Sequence, residues 1–120
     1  MKQSLGSYFK DERGVIQNIL NEPIHHVAFI TSKAGTVRSN HYHKTNSHYI
    51  YVVSGLMEYW ERDLDSDVKN MVLCKPGDMV LSESNKVHKT VFLEDTVLVT
   101  FARGERGVDV DKDDTIKIEL

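Results

Sequence analysis

The sequence has little cysteine and no long apolar segment, and each shortage excludes a class of protein. Its only cysteine, Cys74, cannot form a disulfide within the chain, which agrees with a reducing compartment. No apolar run approaches the roughly eighteen residues of a membrane span, and Met1 to Phe9 lacks a signal-peptide pattern. The net charge is −3 with acids and bases interspersed, so a nucleic-acid-binding surface is not expected. We expect a cytoplasmic protein that binds neither nucleic acid nor membrane.

What the sequence does contain is a series of short apolar runs, rich in β-branched and aromatic residues and separated by turn residues such as Ser54-Gly55 and Pro76-Gly77-Asp78. Convincing helical periodicity is absent. The pattern predicts one all-β domain over 1–120, either a sandwich or a closed barrel. The predicted strands are Val15 to Asn18, His26 to Thr31, Val37 to His43, His48 to Val53, Leu56 to Arg62, Lys69 to Leu73, Met79 to Leu81, His88 to Phe92, Val97 to Arg103 and Thr115 to Glu119. The last of these follows a charge cluster that begins at Asp109, and it is predicted either to be an edge strand or to pair with a second subunit.

Four of the six histidines have positions that indicate one site. His41 and His43 are two residues apart in a predicted strand, so both imidazoles face the same side of the sheet. His48 and His88 each open a later strand. A single histidine in a strand is usually a surface or core residue, and His25 and His26 are assigned to that class. Imidazole binds zinc, iron, nickel and copper, so four converging rings predict a metal centre.

Two segments carry a family resemblance. Gly35 to Gly55 resembles the first cupin motif, with glycine, His41-Tyr-His43, a third ligand position at His48 and a closing glycine at the family's intervals. Gly77 to Phe92 resembles the second motif, with His88 at its histidine position, although Glu83, Asn85 and Phe92 depart from its common residues. Asn85 replaces a glycine and is able to adopt the left-handed backbone conformation required there. The resemblance implies an all-β cupin barrel (a jelly roll, or double-stranded β-helix) that holds one divalent metal ion on His41, His43, His48 and His88.

The third ligand position has a chemical consequence, because it is usually a glutamate in that family and is His48 here. A centre without a carboxylate ligand keeps more positive charge and favours anionic substrates. It also favours iron, nickel, copper or zinc over manganese, although metal supply can override affinity. Binding to neutral imidazole predicts loss of the metal when the histidines are protonated in mild acid.

A second resemblance points to a substrate class. Asp11-Glu-Arg13-Gly14 and Arg38-Ser39-Asn-His41-Tyr42-His43-Lys44 are similar to elements of the sugar-nucleotide ketoisomerases and deoxysugar epimerases of the cupin superfamily. The resemblance implies that His41 and His43 transfer a proton beside a sugar ketone without a metal, and that Arg38 binds a pyrophosphate. The alternatives are a polar turn at Asp11 to Gly14 and a solvated Arg38.

Alternation along the strands places four further side chains on the histidine side, where they would form the substrate-binding wall: Ile50, Val52, Thr90 and Phe92. The aromatic side chains Tyr49, Tyr51, Tyr59 and Trp60 are predicted to lie in the core or in a homodimer interface. Glu58 and Glu83 are candidates for an additional base only if they face inward.

Three functional classes stay open. The first is a metal-dependent enzyme acting on a small polar molecule, either a sugar isomerase or epimerase or a dioxygenase. The second is a metal-free sugar-nucleotide isomerase that uses His41 and His43. The third is a cupin that binds a small molecule without turnover.

Overall fold

The computed structural model describes residues 1–107 and 112–120, and the strands in these residues confirm the all-β prediction. The strands are β1 (Tyr8–Asp11), β2 (Gly14–Gln17), β3 (His26–Ser32), β4 (Val37–His43), β5 (His48–Ser54), β6 (Met57–Asp63), β7 (Asn70–Cys74), β8 (Met79–Ser82), β9 (Lys86–Phe92), β10 (Thr96–Ala102) and β11 (Thr115–Lys117). All ten predicted strands are present, with ends that differ by no more than two residues, whereas β1 was not predicted. In the described ranges, no helix is long and apolar enough to cross a membrane.

Two antiparallel sheets form the walls of the domain. One has the strand order β3-β10-β5-β8 and the other the order β11-β4-β9-β6-β7. Their facing side chains form the main core, which includes Val52, Met57, Tyr59, Phe92 and Leu98, all no more than 3% exposed. Strand alternation is the reason that one face of each sheet supplies this interior. The strands β1 and β2 pair with each other as a separate hairpin.

Strand β4 contains a bulge that aims side chains into the barrel. Ser39 and Asn40 have φ angles of 76° and 59°, and the pairing of β4 with β9 shifts between Ser39 and His41. A bulge adds one residue to a strand, so Arg38 and His41, three residues apart, both face inward. The left-handed φ of Ser39 is one that glycine adopts more readily than a residue with a side chain.

The turn before β9 confirms the expectation for Asn85, which has a φ of 61°. The backbone N–H of Asn85 donates a hydrogen bond to the carbonyl oxygen of His43 at 2.7 Å. The turn therefore joins the second predicted motif to the first.

The last strand, β11, pairs with β4 of the same chain and is an edge strand of the five-stranded sheet. This confirms the edge-strand alternative, whereas pairing with a second subunit stays a prediction, because only one edge of β11 is used by β4. The start of the predicted charge cluster, residues 109–111, lies outside the described residues. Residues 112–114 form a short helical turn directly before β11.

Candidate functional site

A cavity of about 270 Å³ opens between the two sheets at the histidine end of the barrel. It is lined by His26, Ala28, Ile30, Arg38, Ser39, His41, His43, His48, Ile50, His88, Thr90, Phe92, Leu98, Thr100 and Arg106. These residues come from both sheets and from the loop after β10. The cavity therefore joins residues that are far apart in the sequence.

Three of the four predicted ligands converge in this cavity. One ring nitrogen from each of His41, His43 and His88 lies within 4.8 Å of the other two. The cause is the pairing of β4 with β9, which places His41 directly opposite His88, together with the alternation that adds His43. The three rings make edge or stacked contacts, with centroids 4.6 to 5.6 Å apart.

His48 lies beside this group of three nitrogens without joining it. Its ring centroid is 5.4 Å from that of His43 and 5.7 Å from that of His88. Its Nδ1 is buried and lacks a hydrogen-bond partner among the described residues. Burial and the neighbouring histidines hold the pKa of His48 well below its usual value, so the ring is neutral at pH 7.

Asp114 orients the imidazole of His43. Its Oδ2 lies 3.3 Å from His43 Nδ1, and the hydroxyl of Thr115 lies 3.1 Å from the same nitrogen. Burial alone would raise the pKa of Asp114, but hydrogen bonds from Thr45 and Asn46 outweigh burial and lower the pKa. An ionised Asp114 accepts a hydrogen bond from the Nδ1–H of His43, so Nε2 of His43 carries the lone pair.

His88 is held in the same tautomer by a backbone group. Its Nδ1 lies 3.3 Å from the carbonyl oxygen of Lys86, which can only accept a hydrogen bond. Its Nε2 is buried and lacks a hydrogen-bond partner among the described residues. Burial first, and then the charge of His41, lower the pKa of His88 to about 3. His88 is therefore a neutral ring with a buried lone pair.

The charged groups at the cavity surface are cationic. Arg38 and Arg106 line it, and among the described lining residues there is no carboxylate. Arg38 donates from Nε to the hydroxyl of Ser32 at 2.7 Å and from an Nη to the carbonyl of Thr31 at 3.1 Å. A cavity with guanidinium groups and neutral imidazoles is suited to an anionic ligand.

The predicted wall residues have two different environments. Ile50, Thr90 and Phe92 line the cavity. Val52 is fully buried in the core cluster, one inward position further along β5 than Ile50, and does not line it. The reason is that alternation fixes which face a side chain takes but not how deep the cavity reaches.

The carboxylates proposed as extra bases lie elsewhere. Glu58 accepts a hydrogen bond from Trp60 Nε1 at 3.1 Å, and Glu83 is exposed. Neither lines the cavity. The inward carboxylate of β6 is Glu61, which is paired with His88 in the sheet and has a pKa raised by burial.

The aromatic residues divide between the interior and the outer surfaces. Tyr59 is fully buried in the core and stacks on His88, with centroids 6.2 Å apart. Tyr49 and Tyr51 belong to a second apolar cluster on the outer face of the four-stranded sheet. The Trp60 ring lies 5.7 Å from Lys89 Nζ.

The two segments that resemble sugar-nucleotide ketoisomerases and epimerases lie in different parts of the structure. His41 and His43 lie in the cavity, whereas Asp11 to Gly14 lie at the turn of the β1–β2 hairpin, where Arg13 binds Asp11 at 2.6 Å. This element does not line the cavity of its own chain.

Several site residues could not be found from sequence patterns. Asp114 acts on His43 across more than seventy residues of sequence, and neither Asp114 nor Arg106 lies in a recognisable motif. His26 was assigned to the ordinary histidines, but it lines the cavity. Its alternation with Ala28 and Ile30 along β3 was the available signal.

Similar solved structures share this fold. The capsular polysaccharide assembling protein CapF from Staphylococcus aureus is 22% identical, with a TM-score of 0.75 over 98% of this chain and 35% of CapF. The sugar 3,4-ketoisomerase QdtA from Thermoanaerobacterium thermosaccharolyticum, in complex with TDP, is 16% identical, with a TM-score of 0.76 over 92% of this chain and 82% of QdtA. The RmlC epimerase from Mycobacterium tuberculosis is 16% identical, with a TM-score of 0.79 over 98% of this chain and 67% of that protein.

This chain spans about a third of the length of CapF. No curated protein matches the sequence. The family profile described as cupin domain matches residues 28–113, which is more than half of the chain and contains all four predicted histidine ligands. The predicted cupin barrel is confirmed, and the protein belongs to the cupin domain family.

Proposed function

We propose that this cupin is an enzyme that binds one divalent metal ion on His41, His43 and His88 and isomerises or epimerises a small anionic sugar derivative. The observation that carries the proposal is the convergence of three ring nitrogens within 4.8 Å in a cavity. A sugar nucleotide is the substrate class that fits best, because the cavity is cationic and structures with the same fold include a ketoisomerase bound to TDP and an epimerase.

The donor set fits a metal ion. In metal sites, a ligating histidine typically donates its other ring N–H to a carboxylate or a backbone carbonyl. His43 has this arrangement with Asp114, and His88 has it with Lys86. His88 Nε2 is a buried acceptor that a metal ion would satisfy. Three imidazoles suit zinc, iron, nickel or copper better than manganese.

A bound divalent ion supplies Lewis-acid stabilisation of the negative charge that develops on a carbonyl oxygen when the neighbouring carbon loses a proton. The chain supplies the remaining parts. Arg106 and Arg38 attract the anionic part of the substrate, and Ile30, Ile50 and Leu98 exclude water. His48, neutral and outside the three-nitrogen group, is placed to accept the proton and return it.

A metal-free isomerase is the second candidate, and the contact between Asp114 and His43 favours it. In this mechanism Asp114 fixes the tautomer of His43, and His43 Nε2 removes the proton beside the ketone. The two candidates require the same lone pair, because Nε2 of His43 cannot bind a metal and accept a proton at once. Added metal would therefore activate the first enzyme and inhibit the second.

The first test is elemental analysis of untagged protein purified without chelators. We expect close to one metal ion per chain in the wild type and in the control His25→Ala, whose imidazole is exposed, and loss of the ion in His88→Ala. Absence of metal from the wild type, even after addition of iron, nickel, copper, manganese and zinc, would overturn the metal centre.

The second test measures exchange of a substrate proton. A nucleoside-diphosphate 4-keto-6-deoxy sugar is incubated in D₂O, and mass spectrometry detects deuterium at the carbon beside the ketone. Exchange that requires metal supports the main proposal, and exchange that metal inhibits supports the second candidate. Oxygen uptake by the iron-loaded protein without exchange would assign the centre to dioxygenase chemistry. Substrate binding without exchange or oxygen uptake would leave only a binding role and contradict both candidates.

A further inference from the structure

Three buried polar atoms lie behind the histidines of the cavity, and the proposed reaction uses none of them. They are Nδ1 of His48, the phenol oxygen of Tyr59 and Oγ of Ser82, and each lacks a hydrogen-bond partner among the described residues. Tyr59 and Ser82 are fully buried, and His48 is 7% exposed. A polar atom that is buried without a partner costs free energy, so a group of three requires a physical explanation.

The strand pairing brings these three groups together. Ser82 on β8 lies directly opposite His48 on β5, and the side chains of such cross-strand partners lie on the same face of a sheet, with Cβ atoms about 4.5–5.5 Å apart. Tyr59 comes from β6 of the facing sheet. Burial raises the pKa of the Tyr59 phenol, and the nearby Ser82 hydroxyl opposes that rise. The two hydroxyl groups are therefore neighbours, although they do not meet hydrogen-bond geometry.

His88 links Tyr59 to His48. The Tyr59 ring is stacked on the His88 ring with 4° between their planes, and the centroids of His48 and His88 are 5.7 Å apart. Neither Tyr59 nor Ser82 lines the cavity. Both hydroxyl groups therefore lie too deep to touch a substrate, and any effect they have on the reaction passes through a histidine.

The two ring nitrogens of His48 face different surroundings. His48 lines the cavity and Nδ1 is its buried nitrogen, so Nε2 is the nitrogen that can reach a substrate. A neutral imidazole carries one proton, and the hydrogen bond made by one nitrogen decides which nitrogen carries it. A base that accepts a substrate proton at Nε2 must hold its own proton on Nδ1. That proton needs an acceptor on the buried side of the ring.

We propose that Ser82 and Tyr59 are positioning residues for His48 and act through one internal water molecule that bridges the three buried atoms. The proposal rests on the proposed role of His48 as the base. An internal water typically makes about three hydrogen bonds to buried polar groups that lack other partners, and three such atoms meet here. The water accepts the Nδ1–H of His48 and the phenol O–H of Tyr59, and it donates to Oγ of Ser82. Each buried atom then has a partner.

The bridge gives His48 the kind of support that its neighbours already have. Asp114 contacts Nδ1 of His43, and the backbone carbonyl of Lys86 contacts Nδ1 of His88. With the water on Nδ1 of His48, all three rings hold their proton on Nδ1 and direct the lone pair of Nε2 away from the buried side. The bridge also fixes the plane of the His48 ring, which a base needs in order to meet a substrate proton in line.

A crystal structure and nitrogen-15 NMR of the wild type test the bridge directly, in metal-free and zinc-loaded protein. We expect electron density for a water at about 2.5–3.2 Å from each of the three atoms. The NMR spectrum, assigned with His48→Gln, should show a neutral His48 ring with its proton on Nδ1. A well-ordered structure without this water, or a proton on Nε2, would overturn the proposal.

Tyr59→Phe and Ser82→Ala each remove one hydroxyl group and keep the rest of the packing. In the metal-loaded enzyme, each should lower kcat for proton exchange by about 10–100-fold with KM unchanged, because the base is misaligned while the substrate contacts remain. The matched control is Thr96→Val, which removes a buried hydroxyl that donates to the carbonyl of Glu94 outside the cavity. This control should keep the kcat of the wild type. An equal loss in all three variants, or no loss in Tyr59→Phe and Ser82→Ala, contradicts the positioning role.

Thermal unfolding gives a readout that needs no turnover, because the sign of the change is diagnostic. Removal of a hydroxyl that bonds to the water should lower the thermal midpoint, whereas removal of an unsatisfied buried hydroxyl should raise it. We expect a lower midpoint for Tyr59→Phe and for Ser82→Ala, and a loss in the double variant that is smaller than the sum. A higher midpoint in either single variant overturns the bridge. If the wild type shows no proton exchange, the proposed function fails, while the water, the His48 proton and the midpoints still decide this inference.

Discussion

The two ends of the barrel interior are built by the same strands but have opposite chemistry. Strand β9 shows the change along one row of inward side chains, from His88 through Thr90 to Phe92. Strand β5 repeats it from His48 through Ile50 to Val52. At the closed end the side chains are packed and apolar. At the cavity end, His48 Nδ1 and His88 Nε2 are buried without a hydrogen-bond partner among the described residues.

This difference separates stability from function along each strand. Apolar burial at the closed end stabilises the fold, and a well-packed interior responds strongly to lost volume. The cavity end contains buried polar groups that are costly unless they are satisfied, which is characteristic of functional sites. Substitutions two inward positions apart on one strand should therefore affect different properties.

The largest effect is expected at the closed end. Met57→Ala should lower the free energy of unfolding by about 2–5 kcal/mol, because it removes a fully buried core side chain that does not line the cavity and leaves a void. Denaturant titration measures the loss. Metal content per folded chain should equal that of the wild type, and a loss of metal at full stability would contradict the separation of the two ends.

A smaller effect, on metal affinity, is expected at Asp114, which contacts the ring of His43. Asp114→Asn should weaken metal binding by about 10–100-fold, because an amide can no longer fix the tautomer and basicity of His43 as a carboxylate does. Titration with zinc against a competing chelator measures the change. The neighbouring exposed residue gives a matched control, and Asp113→Asn should bind zinc as the wild type does. Equal zinc affinities of the two variants would show that Asp114 does not contribute to metal binding.

The smallest effect is a pH dependence of stability in the metal-free protein. The pKa of His88 is about 3 in the folded state because of burial and then His41, whereas an unfolded histidine has a pKa of about 6.5. Between these values the unfolded state binds a proton that the folded state does not, so the stabilisation is complete above pH 6.5 and is lost as the pH falls towards 3. His48 should contribute in the same direction.

The contribution of His88 to the free energy of unfolding should rise with pH by up to about 1.4 kcal/mol per pH unit between the folded and unfolded pKa values. The free energy of unfolding is measured between pH 7.5 and about 5 in the wild type, His88→Asn and His25→Asn, a range chosen to lie around the ordinary histidine pKa. The His88→Asn variant should have the shallower slope, and the exposed-site control His25→Asn should follow the wild type. Parallel slopes for all three proteins would show that His88 is not buried as a neutral ring.

Much of the fold was predictable because β-strand alternation is a local property. Every predicted strand is present, and His41, His43 and His88 converge as their spacing indicated. The strand β1 was missed because three exposed residues and one half-buried residue beside a polar turn give almost no periodic signal. The left-handed backbone of Ser39 and Asn40 was missed for a different reason, since neither residue is a glycine.

The sequence by itself determined the all-β class, the cupin motifs and the inward-facing histidines, because these depend on spacing within a strand or between neighbouring strands. Only the tertiary structure decided that three ring nitrogens, and not four, lie within 4.8 Å, that Asp114 orients His43, and that Arg106 and His26 join the cavity. It also decided that Val52 lies in the core and that Phe29 on β3 and Ile16 on β2 are exposed. These features depend on how two sheets pack and on contacts between distant residues, and no local pattern encodes them.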